Sequence, residues 1–355
     1  MDTVTHALFG ALSAQTVTPR FKRLSHRERL ILGAAAGALP DIDFLGFLFN
    51  PLVFLADWHQ GPTHSLLLLP VWAALAGKAF AWLIKQRNAW REATLIAGLA
   101  WLSHILLDLI TAYGTQLLSP LSAQRIRLDL VFVIDPVFTG IVLLTLLLSL
   151  RLEKPRIAIA ITGLTVLVSY VLALALLQRQ ALNLGKTFTQ LQNLNNTQVL
   201  ALPQPFSPFN WMIIIASGDH YYRAWLNLAG HSPLVPDLPA LSRLRAIAES
   251  YRAPDKLDWQ HWHRHGEERY QALASVLWQH PEFEPFRRFA ALPSLSRIDS
   301  SNDTTCVWFT DLRYDLPALP DTFRYGFCRN DAGEAWQLYR LRYFSENRKQ
   351  RLSAH

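Results

Sequence analysis

Asp41, Asp43, Asp108 and Asp135 lie inside or at the edges of the most apolar stretches of the chain, and His6, His59, His64 and His104 share those stretches. A carboxylate within a membrane-spanning helix costs about 2.5–3.5 kcal/mol on insertion scales, so such a residue marks a functional site by default. Carboxylates and imidazoles together make a mixed oxygen and nitrogen donor set. It suits zinc first, with manganese or iron as alternatives. Eight candidates exceed one zinc site and fit two divalent ions, or one ion plus catalytic groups. A metal so held makes hydroxide from water near neutral pH and polarises a carbonyl or phosphoryl oxygen.

Spacing sorts the candidates. His104 and Asp108 are four residues apart, on one helix face; a His–Asp bond between two buried polar groups is the plainer alternative. Asp41 and Asp43 follow Pro40, which predicts a break in the helix. Such a break is tolerated at membrane depth only inside protein or beside a watery cavity. His59 and His64 bracket Gly61-Pro62, a helix cap and a first helical position. That would put His64 in the first turn of a long helix, where the dipole keeps the ring neutral and free amides could hold an anion. Asp2 and His6 repeat the i, i+4 pairing, with Asp2 or Thr3 as helix cap. Asp135 precedes Pro136. Thr5, Thr63 and Ser103 each precede a histidine. There is no Gly-rich phosphate loop and no G-x-S-x-G elbow, and neither cysteine is near the histidines.

The elements that must position these residues are mostly membrane helices. Residues 1–178 read as a membrane-embedded bundle and 179–355 as a soluble α+β domain. Apolar runs near 30–49, 62–84, 94–112, 130–150 and 156–178 are each long enough for about 30 Å of hydrocarbon. With residues 2–17 crossing or re-entrant, five to six spans are expected. The formal net charge of +7 falls largely in loops, which argues for topology rather than nucleic acid. Arg20, Lys22, Arg23, Arg27 and Arg29 crowd one loop, Lys85, Arg87 and Arg91 another, and Arg151, Lys154 and Arg156 a third. Residues 50–61 carry no lysine or arginine, and 113–129 carry only Arg125 and Arg127. The positive-inside rule then puts the C-terminal domain, and all eight candidates, on the extracytoplasmic side. The start lacks a basic n-region, so no cleavable signal peptide is expected.

In the second half, residues 210–228 read as two strands around Ser217-Gly218-Asp219. Residues 239–252 and 266–279 read as helices, and the end as an antiparallel meander. Trp259, Trp262 and Tyr270 read as core or membrane-interface contacts. Cys306 and Cys328 fall near mirror positions of a hairpin, where a disulfide or two buried thiols are equally open. His261, His263 and His265 alternate along the chain and could bind metal, but they read better as a solvated loop.

The segments MDTVTHALFGA, GALPDID, HQGPTHSLL, SHILLDLITAYGTQLLSP and Ile134-Asp135-Pro136, in this order over the first 140 or so residues, resemble the YdjM-like family. These inner-membrane proteins are described as LexA-regulated, membrane-bound, metal-dependent hydrolases. The resemblance implies that His6, Asp41, Asp43, His59, His64, His104 and Asp108 form the metal site, with Asp135 carried along. Gln60 departs from the family pattern, which has arginine there. Asp311-Leu312-Arg313 matches a segment in the tail of some members.

The expectation is a multi-pass inner-membrane enzyme that activates water on a divalent metal to cleave an ester or phosphoester of a lipid or envelope molecule. Asp41, Asp43 or Asp108 would be the base, and Arg125 and Arg127 would hold an anionic group or simply meet lipid headgroups. A metal-ion or proton transporter is the alternative, as is a membrane protein that the metal merely staples.

Overall fold

The computed structural model describes residues 1–17, 23–152, 155–230, 241–301, 304–330, 334–343 and 345–352. Arg20, Lys22 and Lys154, and residues 239–240 of an expected helix, lie outside the described residues. The chain divides into two compact units, residues 1–49 with 57–176, and residues 50–56 with 177–355.

Local chemistry sets the helix ends. Asp2 caps α1 (Thr3–Gln15) by accepting from the Thr5 amide and hydroxyl. Ser25 and Glu28 form a capping box at the start of α2 (His26–Ala38). At Pro40 the chain tightens rather than breaks: it continues as a 3-10 helix, Leu39–Leu48. A one-turn helix α3 (Pro51–Val53) and a π-helical turn Phe54–Trp58 follow. Pro62 does not open the next long helix. Pro62–His64 is a single 3-10 turn, Ser65 is extended, and α4 (Leu69–Leu83) starts with Pro70 in its first turn. A helix begun at Pro62 could not run through Pro70, which lacks the N–H and crowds the preceding turn. Then come α5 (Trp90–Leu109), α6 (Pro136–Arg151) and α7 (Arg156–Leu191).

Among the described residues, His26–Leu48, Arg87–Leu109 and Arg156–Leu191 are long and apolar enough to cross a membrane. The pair Pro51–His64 and Leu69–Leu83, bent by 71°, makes a fourth if taken as one span. The expected count of five to six also needs α1 and α6. With 13 and 16 residues they reach only about 20 and 24 Å at 1.5 Å per residue. Leu144 and Leu147 on α6, and Val168, Leu172 and Leu176 on α7, are exposed, as lipid-facing side chains would be.

Small residues bring the helices together. A Cβ on Gly37 of α2 would stand 2.5 Å from the His6 carbonyl oxygen of α1, and one on Gly33 2.5 Å from that of Gly10. The two helices therefore touch backbone to backbone, the small-residue packing of membrane helices. Gly77 of α4 meets Thr94 of α5 in the same way.

The second unit holds two antiparallel sheets. The first is a meander of β1 (Thr197–Pro203), β2 (Asn210–Ser217), β3 (His220–Asn227) and β4 (Gln260–His263). The two strands around Ser217-Gly218-Asp219 are as read, with Gly218 at φ +59° in the turn. His261 and His263 are in β4, not in a loop, because the segment pairs with β3. Trp259 stacks on Phe188 at 4.0 Å, and Trp262 Nε1 donates to Ser294 Oγ. Helices α8 (Ser242–Ser250), α9 (Glu268–Trp278) and α10 (Glu284–Phe289) precede the second sheet. That sheet runs β5 (Pro293–Ser301), β6 (Thr304–Asp311), β7 (Tyr325–Arg329), β8 (Gln337–Leu341) and β9 (Lys349–Arg351). Cys306 and Cys328 face each other directly across β6 and β7 and are disulfide-bonded.

Candidate metal centre

The α-helical period of α5 puts His104 and Asp108 side by side, both buried, with His104 Nε2 3.2 Å from Asp108 Oδ2. His64 enters from the 3-10 turn. Its Nε2 lies 3.1 Å from the same carboxylate oxygen and 2.9 Å from His104 Nε2. Asp41, from the 3-10 helix after α2, completes the group, with Oδ1 3.6 Å from His104 Nε2 and 4.0 Å from His64 Nε2. All four donor atoms lie within 4.8 Å of one another.

The surroundings fix which nitrogens face inward. His104 Nδ1 is 2.6 Å from the Gly37 carbonyl oxygen. A carbonyl only accepts, so the hydrogen of a neutral His104 is on Nδ1 and Nε2 presents a lone pair. His64 Nδ1 faces the Asp43 carboxylate at 3.7 Å and the Thr63 hydroxyl at 2.9 Å, so Nε2 is the nitrogen of this ring that is turned inward. Asp108 Oδ2 is buried without a hydrogen-bond donor, and Oδ1 takes His6 Nε2 at 3.0 Å and the Met1 amino group. The two inward nitrogens, 2.9 Å apart, can share one proton, and a cation can take that proton's place beside a carboxylate oxygen that no hydrogen bond satisfies. Tetrahedral zinc with bonds of about 2.0–2.2 Å needs donors about 3.3–3.5 Å apart. Distances of 2.9, 3.1, 3.2, 3.6 and 4.0 Å bracket that spacing, so the residues fit the ion.

The supports are equally specific. Thr3 Oγ1 donates to Asp41 Oδ2 at 2.6 Å. Two indoles pin the turn that carries His64: Trp101 Nε1 donates to the Thr63 carbonyl and Trp72 Nε1 to that of Pro62, with the rings stacked 6.1 Å apart. Asp43 stands behind the four. It meets His59 Nδ1 at 3.3 Å and accepts the Gln60 amide at 3.0 Å. His6 stacks on His104 at 3.6 Å. His6, Asp43 and His59 thus border the group without belonging to it.

Residues 1–181 match the family model described as the YdjM inner membrane protein. The chain belongs to the YdjM inner membrane protein family. The matched region contains the whole cluster. The uncharacterized protein YfhP of Bacillus subtilis (strain 168) is 30% identical over 141 residues, 38% of this chain and 42% of that relative. The chain thus matches less than half of that relative's length. No solved structure matches the chain.

The remaining expected site residues of this family member lie elsewhere. Asp135 caps α6 by accepting from the Val137 and Phe138 amides, and it takes the Tyr170 hydroxyl at 2.9 Å. Arg125 donates to the carbonyls of His59 and Gly114 and lies over the Tyr113 ring, and Arg127 donates to Ala112 and meets Asp129. Both arginines fasten the loop beside His59. Because Pro62–His64 stops after one turn, His64 gains no long-helix dipole; Asp43 and Thr63 orient it instead. Gln60, in place of arginine, reaches Asp43 through its backbone, while its side-chain oxygen accepts from Thr115 Oγ1. Of the three hydroxyls that precede candidate site histidines, only Thr63 bonds the ring, since Thr5 goes to Asp2 and Ser103 to Ala100. Gly37, Thr3 and Trp101 carry no signal in the sequence that marks them as supports.

Proposed function

We propose that this chain is a membrane-embedded, metal-dependent hydrolase that cleaves an ester or phosphoester of a lipid or envelope molecule. The observation that carries the reading is the pair of imidazole nitrogens 2.9 Å apart, both turned inward beside a donorless carboxylate oxygen. Two nitrogens and two oxygens form a zinc-type set, with manganese or iron as alternatives. A bound divalent metal supplies Lewis acidity and an activated water. His64, His104, Asp41 and Asp108 would hold it, and Asp43 and Gly37 orient the two rings. Asp41 is the only partly exposed member of the four. It would take the proton of the attacking water as that oxygen bonds to the acyl carbon or phosphorus, and would return it to the leaving alcohol as the ester bond breaks. The exposed Ile42, Phe44 and Leu45 beside it favour an amphiphilic substrate.

In the fuller reading α1 and α6 also enter the bilayer, giving five to six spans, and the cluster and C-terminal domain face outward. The Cys306–Cys328 disulfide supports an oxidising compartment for that domain.

The test is elemental analysis of purified protein together with hydrolysis of a panel of phospholipids and soluble phosphoesters. Wild type should hold stoichiometric metal and cleave a panel member, and His64→Ala and Asp108→Ala should lose both. Equal, substoichiometric metal in all three sinks the metal centre. Bound metal with no hydrolysis across the panel counts against the enzyme and leaves a staple.

A further inference from the structure

We propose that β3 and β4 carry a second transition-metal site, formed by His220, His261 and His263 and separate from the membrane cluster. In the β3–β4 ladder His220 pairs with His263, and Tyr222 with His261. Directly paired residues share a face, as do residues two apart on one strand. All three imidazoles therefore lie on one face, at the edge of the first sheet, since β4 is its last strand. Tyr221 and Trp262 take the opposite face.

The rings already meet. His261 Nε2 lies 3.2 Å from His220 Nδ1, and the His220 ring is 5.2 Å from the centroids of both His261 and His263. Stacking on Tyr222 at 4.5 Å braces His261. The nitrogen separation of 3.2 Å is close to the roughly 3.3 Å between two imidazole ligands of tetrahedral zinc. A divalent ion can thus replace the proton that the pair shares. His263 is the third ligand. Its Nδ1 accepts the His265 amide at 3.1 Å, so it joins by giving up that single neutral bond and turning toward the pair. His220 and His261 are exposed and His263 is half-buried, which leaves a position for water and makes the site exchangeable. An all-nitrogen donor set selects zinc, copper(II) or nickel over calcium and magnesium. The nearest carboxylate in sequence, Asp219, lies toward Arg264 at 3.8 Å.

The experiment uses the full chain, purified in detergent without a histidine tag, titrated with copper(II) and zinc. Bound metal is counted after dialysis, and copper is followed by electron paramagnetic resonance. Wild type should bind copper beyond the metal of the membrane cluster, with nitrogen hyperfine structure from several imidazoles. The His220→Gln/His261→Gln double variant should bind it at least about 100-fold more weakly, a loss no smaller than removing an outer partner of a ligand can cause. Its membrane-site metal and melting temperature should be unchanged. His64→Ala should show the opposite pattern, so the two sites fail independently. Equal copper affinity in wild type and double variant, or a copper signal without nitrogen coupling, overturns the proposal.

Discussion

Asp41 and Asp43 are two residues apart and have different partners. Pro40 sets the chain into a 3-10 helix, whose roughly 120° step per residue turns the two carboxylates well away from each other. Asp41 meets the inward nitrogens of His64 and His104, and Asp43 meets the outer nitrogen of His64 and the ring of His59. The spacing of His104 and Asp108 was legible because an α-helix has a known period. The division of labour between Asp41 and Asp43 was not, because a proline predicts a break without saying which helix follows it. Asp43→Asn should therefore keep the metal but bind it about 10–100-fold more weakly, as when a ligand loses its outer partner. Asp41→Asn, which changes a ligand itself, should cost more. Competition with a graded series of chelators measures both; equal losses would show that Asp43 is itself a ligand.

At the scale of elements, the seam between α1 and α2 decides where two histidines stand. Gly37 lies against the His6 backbone, and its carbonyl holds His104. Gly37→Ala forces the helices apart at a cost of about 1–3 kcal/mol, the usual range for overpacking. It should lower both the melting temperature in detergent and the metal content. Gly140→Ala, in α6, meets nothing within 4 Å and should leave the metal content unchanged. Wild-type metal content in Gly37→Ala would mean that the seam does not position the site. The helices themselves were readable from hydropathy. Their close approach was not, since a glycine in an apolar run looks the same in a seam as facing lipid. The start of α4 is ambiguous in sequence for a related reason: Pro62 and Pro70 both resemble helix starts, and only Pro70 opens the long helix.

The whole molecule joins a helical membrane unit to a unit of two antiparallel sheets. The proposed orientation, drawn from loop charge and the cross-strand disulfide, puts the C-terminal domain outside. A C-terminal alkaline phosphatase fusion, active only outside the cytoplasm, should therefore report activity. The two cysteines should resist alkylation until reduced. Activity only from a cytoplasmic reporter, with freely alkylated cysteines, would reverse the orientation. Hydropathy, helical period and loop charge are properties of neighbouring residues, so the sequence alone determined the apolar helical half, the terminal meander and a set of candidate metal ligands. Which of them converge was decided by tertiary contacts: His6 and Asp108 are 102 residues apart, His104 and Gly37 67, and His64 and His104 40. A donor set is a matter of ångströms between side chains on different helices, and those distances exist only once the helices have packed.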